Sequence, residues 1–200
     1  MENKTKIKMC GMMRVQDIEA ANEIHPDYIG FIFVEGRRRY VTYEKAGEMK
    51  KLLDPDIKAV GVFINEEIDK VTKLVKDGIV DIVQLHGEEG EDYIQELKAK
   101  VDCPVIKCFQ LPRDSLLDVV LTSADMVLID SGTGTGKTFD WQLIEGVTRP
   151  YFLAGGIDET NIEEAIEKLH PYAIDVSSGI ETDGLKDPEK MKKLKSIVSK

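Results

Sequence analysis

The chain has 200 residues, a hydrophobic fraction of 42% and a formal net charge of -10. That length is enough for one sizeable core, and the acidic balance argues against nucleic acid or an anionic membrane as partner. An anionic substrate would therefore have to be met by local positive groups.

The N-terminal stretch MENKTKIKM has no long apolar run, so neither a signal peptide nor a membrane span is expected. Cys10, Cys103 and Cys108 are odd in number and lack metal-ligand spacing. They point to a reduced, cytoplasmic setting, and Cys103 and Cys108 read as packing residues.

Apolar runs then alternate with helical patterns. Lys6–Met9 reads as a strand, Val15–Glu23 as a helix, Tyr28–Val34 as a strand and Tyr43–Leu53 as a helix. Ala59–Ile64 is the next strand, closed by Asn65 as helix N-cap, and Ile68, Val71, Leu74 and Val75 share one helical face behind it. Val80–Leu85 is a strand, and Tyr93, Leu97 and Val101 mark a helix. Val105–Phe109, Leu116–Leu121 and Met126–Ile129 continue the alternation; a short helix is expected over Phe139–Gly146. The apolar runs Tyr151–Ala154 and Ala173–Val176 bracket a helical pattern through Ile162, Ala165, Ile166 and Leu169. Asp187-Pro188 opens the last helix, a cap followed by proline at the first helical position, and the lysines of 190–200 read as its solvated face. His25 and His170 precede proline at helix ends and read as structural.

Eight strand–helix units with little alternation inside the strands call for a parallel sheet covered by helices. In a chain this short the compact solution is a single-domain (β/α)8 TIM barrel over residues 1–200. Active groups in such a barrel sit at the C-terminal ends of the strands. Here those ends carry Cys10-Gly11, the Arg37-Arg38-Arg39 run, Gln84 to Gly87, Asp130, Gly155-Gly156 and Asp175 through Gly179. The two glycine-rich ends in the final third, LAGG and DVSSG, have the form of a phosphate grip built from backbone N–H groups. The same stretch is compatible with two tight strand-to-helix turns of any α/β protein. A thiol, a carboxylic acid, cations and a phosphate grip describe an enzyme that moves protons on a phosphorylated anion without metal or cofactor. The run SGTGTGKTFDW is neither a P-loop, since Ser131 stands where its first glycine is needed, nor a dinucleotide fingerprint. It reads as an active-site loop after the sixth strand.

Several of these stretches, in order, resemble the phosphoribosylanthranilate isomerase family of tryptophan biosynthesis. They are KMCG at residues 8–11, Arg39-Tyr40-Val41, VQLHG at 83–87, GTGKTFDW at 134–141, LAGG at 153–156 and DVSSGIE at 175–181, with Lys186-Asp187 beyond. The resemblance covers nearly the whole chain. It implies the Amadori rearrangement of N-(5′-phosphoribosyl)anthranilate to the 1-deoxyribulose isomer, with no cofactor and no metal. It further implies Asp130 as general acid and Cys10 as general base. Arg39 would hold the anthranilate carboxylate, and Gly155, Gly156, Ser178 and Gly179 the phosphate. His86 and Asp175 would line the pocket. The partner implied is a small phosphorylated substrate; a monomer or homodimer is expected.

The chain departs from the family pattern at Met12-Met13, beside Cys10, and in a shorter loop from Asp130 to Gly134. The related histidine-pathway isomerase would carry aspartate at the end of the first strand, where this chain has Cys10. A phosphosugar-binding barrel without turnover would have no need to keep Cys10 and Asp130 together.

Overall fold

In the computed structural model, residues 4–111, 113–130, 144 and 146–200 are described. Eight parallel strands close into a barrel in sequence order: β1 (Lys6–Cys10), β2 (Tyr28–Ile32), β3 (Lys58–Phe63), β4 (Ile82–Leu85), β5 (Val105–Gln110), β6 (Met126–Asp130), β7 (Tyr151–Ala154) and β8 (Ala173–Val176). The ring shuts where β8 pairs with β1, Asp175 opposite Lys8 and Val176 opposite Met9. Between the strands lie α1 (Val15–Ile24), α2 (Tyr43–Leu52), α3 (Ile68–Lys76), α4 (Glu91–Lys98), α5 (Leu116–Leu121) and α6 (Ile162–Leu169), with α7 (Pro188–Val198) after β8. The expected helix over 139–146 and the glycine-rich run from 131 to 141 lie outside the described residues, apart from the two positions 144 and 146. Among the described residues no helix is long and apolar enough to cross a membrane.

The period of two along each strand divides the core into two layers. Ile29, Phe31, Ala59, Val83, Val105, Val127 and Leu153 face outward and pack with the helices. Their neighbours Tyr28, Val60, Ile82, Ile106, Leu128 and Phe152 fill the barrel interior. Nearly every strand position is therefore buried, which is why the strands read as continuous apolar runs.

The helix ends follow local chemistry. His25 and His170 adopt the left-handed conformation (φ 52 and 44) as C-caps, and the prolines after them prevent continuation. Asp187 accepts from the backbone N–H of Glu189 at 3.0 Å, with Pro188 opening α7. Met191, Leu194 and Val198 of α7 are buried, so the lysine-rich segment is solvated on one face only.

Asn65 corrects the sequence reading. The N-cap position of α3 belongs to Glu67, and Asn65 instead turns left-handed at φ 50. Its side-chain oxygen accepts from Glu88 N–H at 2.8 Å, tying the loop after β3 to the loop after β4. Asparagine is as well suited to that Asx bridge as to a cap, and spacing alone does not separate the two roles. Met12 is fully buried in the outer layer, between sheet and helices.

Candidate active site

Inward-facing positions at the strand ends converge on one cavity of about 430 Å³ at the C-terminal mouth of the barrel. Cys10, Arg39, His86, Asp130, Gly155, Gly156, Asp175 and Ser178 all line it. Gly179 lies just behind the rim, where a Cβ would come within 2.1 Å of the Ile157 carbonyl oxygen. Only a residue without a side chain lets the turns after β7 and β8 approach this closely.

The strand period explains the first strand. Lys6, Lys8 and Cys10 alternate with Ile7 and Met9, so all three point inward. Lys6 bonds the Tyr172 hydroxyl at 2.9 Å at the far end of the barrel. Lys8 is fully buried, with Nζ 2.9 Å from Asp175 Oδ1. Burial disfavours the charge on Lys8, but the Asp175 carboxylate outweighs it and holds Lys8 protonated. Cys10 feels the same cluster. Burial pushes its thiol above the usual 9.0; Lys8 pulls it back, Asp175 pushes it further up and Lys186 again lowers it. Gly30 of β2 provides the seat of the thiol, since a Cβ there would lie 2.6 Å from Cys10 Sγ.

Arg39 is fixed from behind. Its Nε donates to Glu181 Oε1 at 2.6 Å and a terminal nitrogen donates to Oε2 at 3.0 Å. Arg38 and Lys186 also donate to Glu181, at 2.5 and 2.8 Å. Burial by itself would raise the Glu181 pKa; the hydrogen bonds from Arg39 and Lys186 outweigh it and bring it down to about 2. Glu181 stands on a short hairpin, β9 (Glu181–Thr182) and β10 (Leu185–Lys186). A guanidinium has five N–H donors, so this two-point contact leaves donors for a carboxylate in the cavity.

The turns after β7 and β8 are held by their own bonds. Gly155 and Gly156 have φ of 95 and 68, open to glycine at little cost. Asn161 donates to Gly156 O at 2.9 Å and accepts from Asp158 N–H at 3.0 Å. Ser177 Oγ donates to Cys10 O at 3.1 Å, joining the ends of β8 and β1.

On the opposite wall His86 Nε2 lies 3.6 Å from Asp130 Oδ2 and 3.6 Å from Cys108 Sγ. Burial lowers the His86 pKa below its ordinary 6.5 despite the Asp130 carboxylate, so the imidazole is neutral at pH 7. Gln84 Nε2 lies 3.0 Å from His86 Nδ1.

The strand ends singled out in the sequence meet at one cavity, but the sequence reading gave no role to Lys8, Glu181 or Lys186, whose ion pairs stand behind Cys10 and Arg39. Lys8 carried a signal, because a lysine two residues before an inward cysteine in an apolar strand must point the same way.

The family model for N-(5′-phosphoribosyl)anthranilate (PRA) isomerase matches residues 7–196. The chain is 43% identical over 191 residues to N-(5′-phosphoribosyl)anthranilate isomerase of Endomicrobium trichonymphae, covering 93% of this chain and 94% of that one. Among solved structures, phosphoribosyl anthranilate isomerase of Thermus thermophilus superposes with a TM-score of 0.86 at 30% identity over 98% of both chains. A phosphoribosyl anthranilate isomerase in complex with reduced 1-(o-carboxyphenylamino)-1-deoxyribulose 5-phosphate gives 0.83, also at 30% identity and 98% coverage of both.

Proposed function

The chain belongs to the N-(5′-phosphoribosyl)anthranilate isomerase family, and on that basis we propose how its own residues carry the Amadori rearrangement of tryptophan biosynthesis. Residues 1–200 act as one domain, a monomer or homodimer whose site is built by a single chain.

The substrate phosphate binds at the turns after β7 and β8, through backbone N–H groups of Gly156, Ser178 and Gly179, with Gly155 allowing close approach. Arg39 holds the anthranilate carboxylate through the donors that Glu181 does not use. With both ends of the substrate held, the ribose lies between Cys10 on β1 and Asp130 on β6. Asp130 donates its proton to the ring oxygen, the C1′–O bond breaks and the nitrogen lone pair forms an iminium ion. The Cys10 thiolate then takes the C2′ proton, leaving an enolamine. Protonation at C1′ and loss of the C2′ hydroxyl proton give the ketone, so atoms balance with no external reactant. No step calls on a metal or a cofactor. Lys8 stabilises the thiolate that Cys10 must become, and Asp175 keeps that ammonium in place. His86, neutral at pH 7, lines the pocket beside Asp130.

The observation that carries this reading is the convergence of Cys10 and Asp130 on the cavity that Arg39 and the glycine turns also line. The test uses anthranilate fluorescence. Purified protein is mixed with freshly generated phosphoribosylanthranilate in the presence of a chelator, and substrate decay is followed. Rapid loss with the rearranged ketone as product supports the assignment; decay no faster than spontaneous breakdown overturns it.

A further inference from the structure

The same mouth of the barrel contains a second donor set that the isomerisation does not use as such. His86 Nε2, Cys108 Sγ and Asp130 Oδ2 come from the ends of β4, β5 and β6, and these ligand atoms all lie within 4.8 Å of one another. The two separations from His86 Nε2 are those of a coordination shell as well as of a hydrogen-bond cluster. With Zn–S of about 2.3 Å, Zn–N of about 2.0 Å and tetrahedral angles, a sulfur and a nitrogen on one zinc stand about 3.5 Å apart, and a nitrogen and an oxygen about 3.4 Å. The observed distances from His86 Nε2 are 3.6 Å to Cys108 Sγ and 3.6 Å to Asp130 Oδ2.

A second observation points the same way. Gln84 is almost fully buried, and its Oε1 has no hydrogen-bond partner among the described residues. Its amide nitrogen is the atom now beside His86 Nδ1. A half-turn of that carboxamide brings Oε1 to Nδ1, where it accepts the ring N–H. The imidazole is then held in the tautomer whose Nε2 lone pair faces Cys108 and Asp130, the usual outer-shell arrangement of a metal-bound histidine.

We propose that His86, Cys108 and Asp130 form a zinc-class inhibitory site, three protein ligands with the fourth position open to the substrate cavity. One thiolate, one imidazole and one carboxylate suit a borderline-soft ion and not Mg²⁺ or Ca²⁺. On binding, Zn²⁺ replaces the Cys108 thiol proton, which is released to solvent, and takes a lone pair of Asp130. With that carboxylate on the metal, Asp130 cannot deliver a proton to the ribose oxygen, so occupancy and turnover exclude each other. Cys108 is the part with no role in the isomerisation. The inhibition arm rests on Asp130 as proton donor; the binding arm does not.

Co²⁺ serves as the spectroscopic probe. Titrating metal-free protein with Co²⁺ should produce a thiolate-to-metal charge-transfer band in the near ultraviolet, removed by Cys108→Ala and by Cys108→Ser. Zn²⁺ should displace the Co²⁺, suppress isomerase turnover in chelator-free buffer and be reversed by chelator, while Mg²⁺ does nothing. Cys108→Ala should keep its metal-free turnover and lose most of the Zn²⁺ sensitivity, and Gln84→Ala should weaken Zn²⁺ binding by about tenfold. Absence of the band, or a band that survives both Cys108 substitutions and so belongs to another thiol, overturns the site. That result is read without substrate, so it is separate from any failure of the isomerase assignment.

Discussion

Arg39 and Glu181 meet through two parallel N–H···O bonds of 2.6 and 3.0 Å, although 142 residues separate them in the chain. The arginine side chain crosses the end of β1 over Gly11, where a Cβ would come within 2.5 Å of Arg39 Cδ. Glu181 thus sets the angle at which the guanidinium enters the cavity, and Lys186 and Arg38 hold Glu181.

Glu181→Gln should therefore loosen Arg39 and act mainly on binding. KM should rise by about tenfold, the cost of weakening a charge-assisted pair, with kcat changed far less. Steady-state kinetics on the variant give both numbers; a fall in kcat at unchanged KM would contradict the positioning role. The same residue makes an acid-stability prediction. Its folded pKa of about 2 lies below the ordinary 4.5, so its contribution is complete above about pH 4.5 and is lost as pH falls toward 2. That contribution is on the order of 3 kcal/mol at neutral pH. Denaturant titrations between pH 5 and 3 should show a shallower loss in Glu181→Gln than in the parent.

Cys10→Ser and Asp130→Asn each keep the approximate shape of the side chain and remove its proton chemistry. Turnover should fall by about a hundredfold or more in each, while affinity for a reduced product analogue stays within a few-fold. Near-normal turnover of Cys10→Ser would show that another group takes the C2′ proton.

Cys10 works as a base only when ionised, and burial places its thiol above 9.0. Turnover needs the ionised thiol together with a protonated Asp130, so kcat/KM should follow the product of the two fractions, with an alkaline limb that turns down only above that value. Lys8 stabilises the thiolate, so Lys8→Met should move the limb to still higher pH. Its defect should be largest near neutrality and shrink at alkaline pH. A loss of rate equal at every pH would mean that Lys8 serves structure alone.

Gly30→Ala tests the seat of the thiol. The added methyl would stand 2.6 Å from Cys10 Sγ and must displace it. A shift of about 1 Å at a reacting atom costs about a hundredfold in rate. Measured kcat should drop on that scale with KM little changed, and thermal unfolding should locate the damage in the site and not in the barrel.

The barrel was legible because its parallel strands are buried on both faces and stop at glycine, serine or a charged residue. Cys10, Asp130 and the glycine turns were legible for the same reason, standing where apolar runs end. Glu181 was not, because its partners lie on the loop after β2 and on a hairpin that no local pattern joins. Asn65 was misassigned because an asparagine suits a helix cap and a loop bridge equally. Cys108 reads in sequence as one more small core residue; its inward direction, toward His86 and Asp130, follows only once the register of β4, β5 and β6 is known. The run at 131–141 and its shortened loop lie outside the described residues.

The hairpin that carries Glu181 follows the last strand, and the arginine it aligns follows the second. Arg39 can take its working orientation only after β8 has docked on β1 and the ring is complete. On the role proposed for Arg39, recognition of the carboxylate becomes a report on closure. A growing chain or a barrel half holds the arginine but not the clamp, and cannot bind as the finished molecule does. With Arg39 in that proposed role, a ligand that uses the clamped arginine favours the closed ring over partly assembled forms, and so holds the second strand's loop and the last hairpin together.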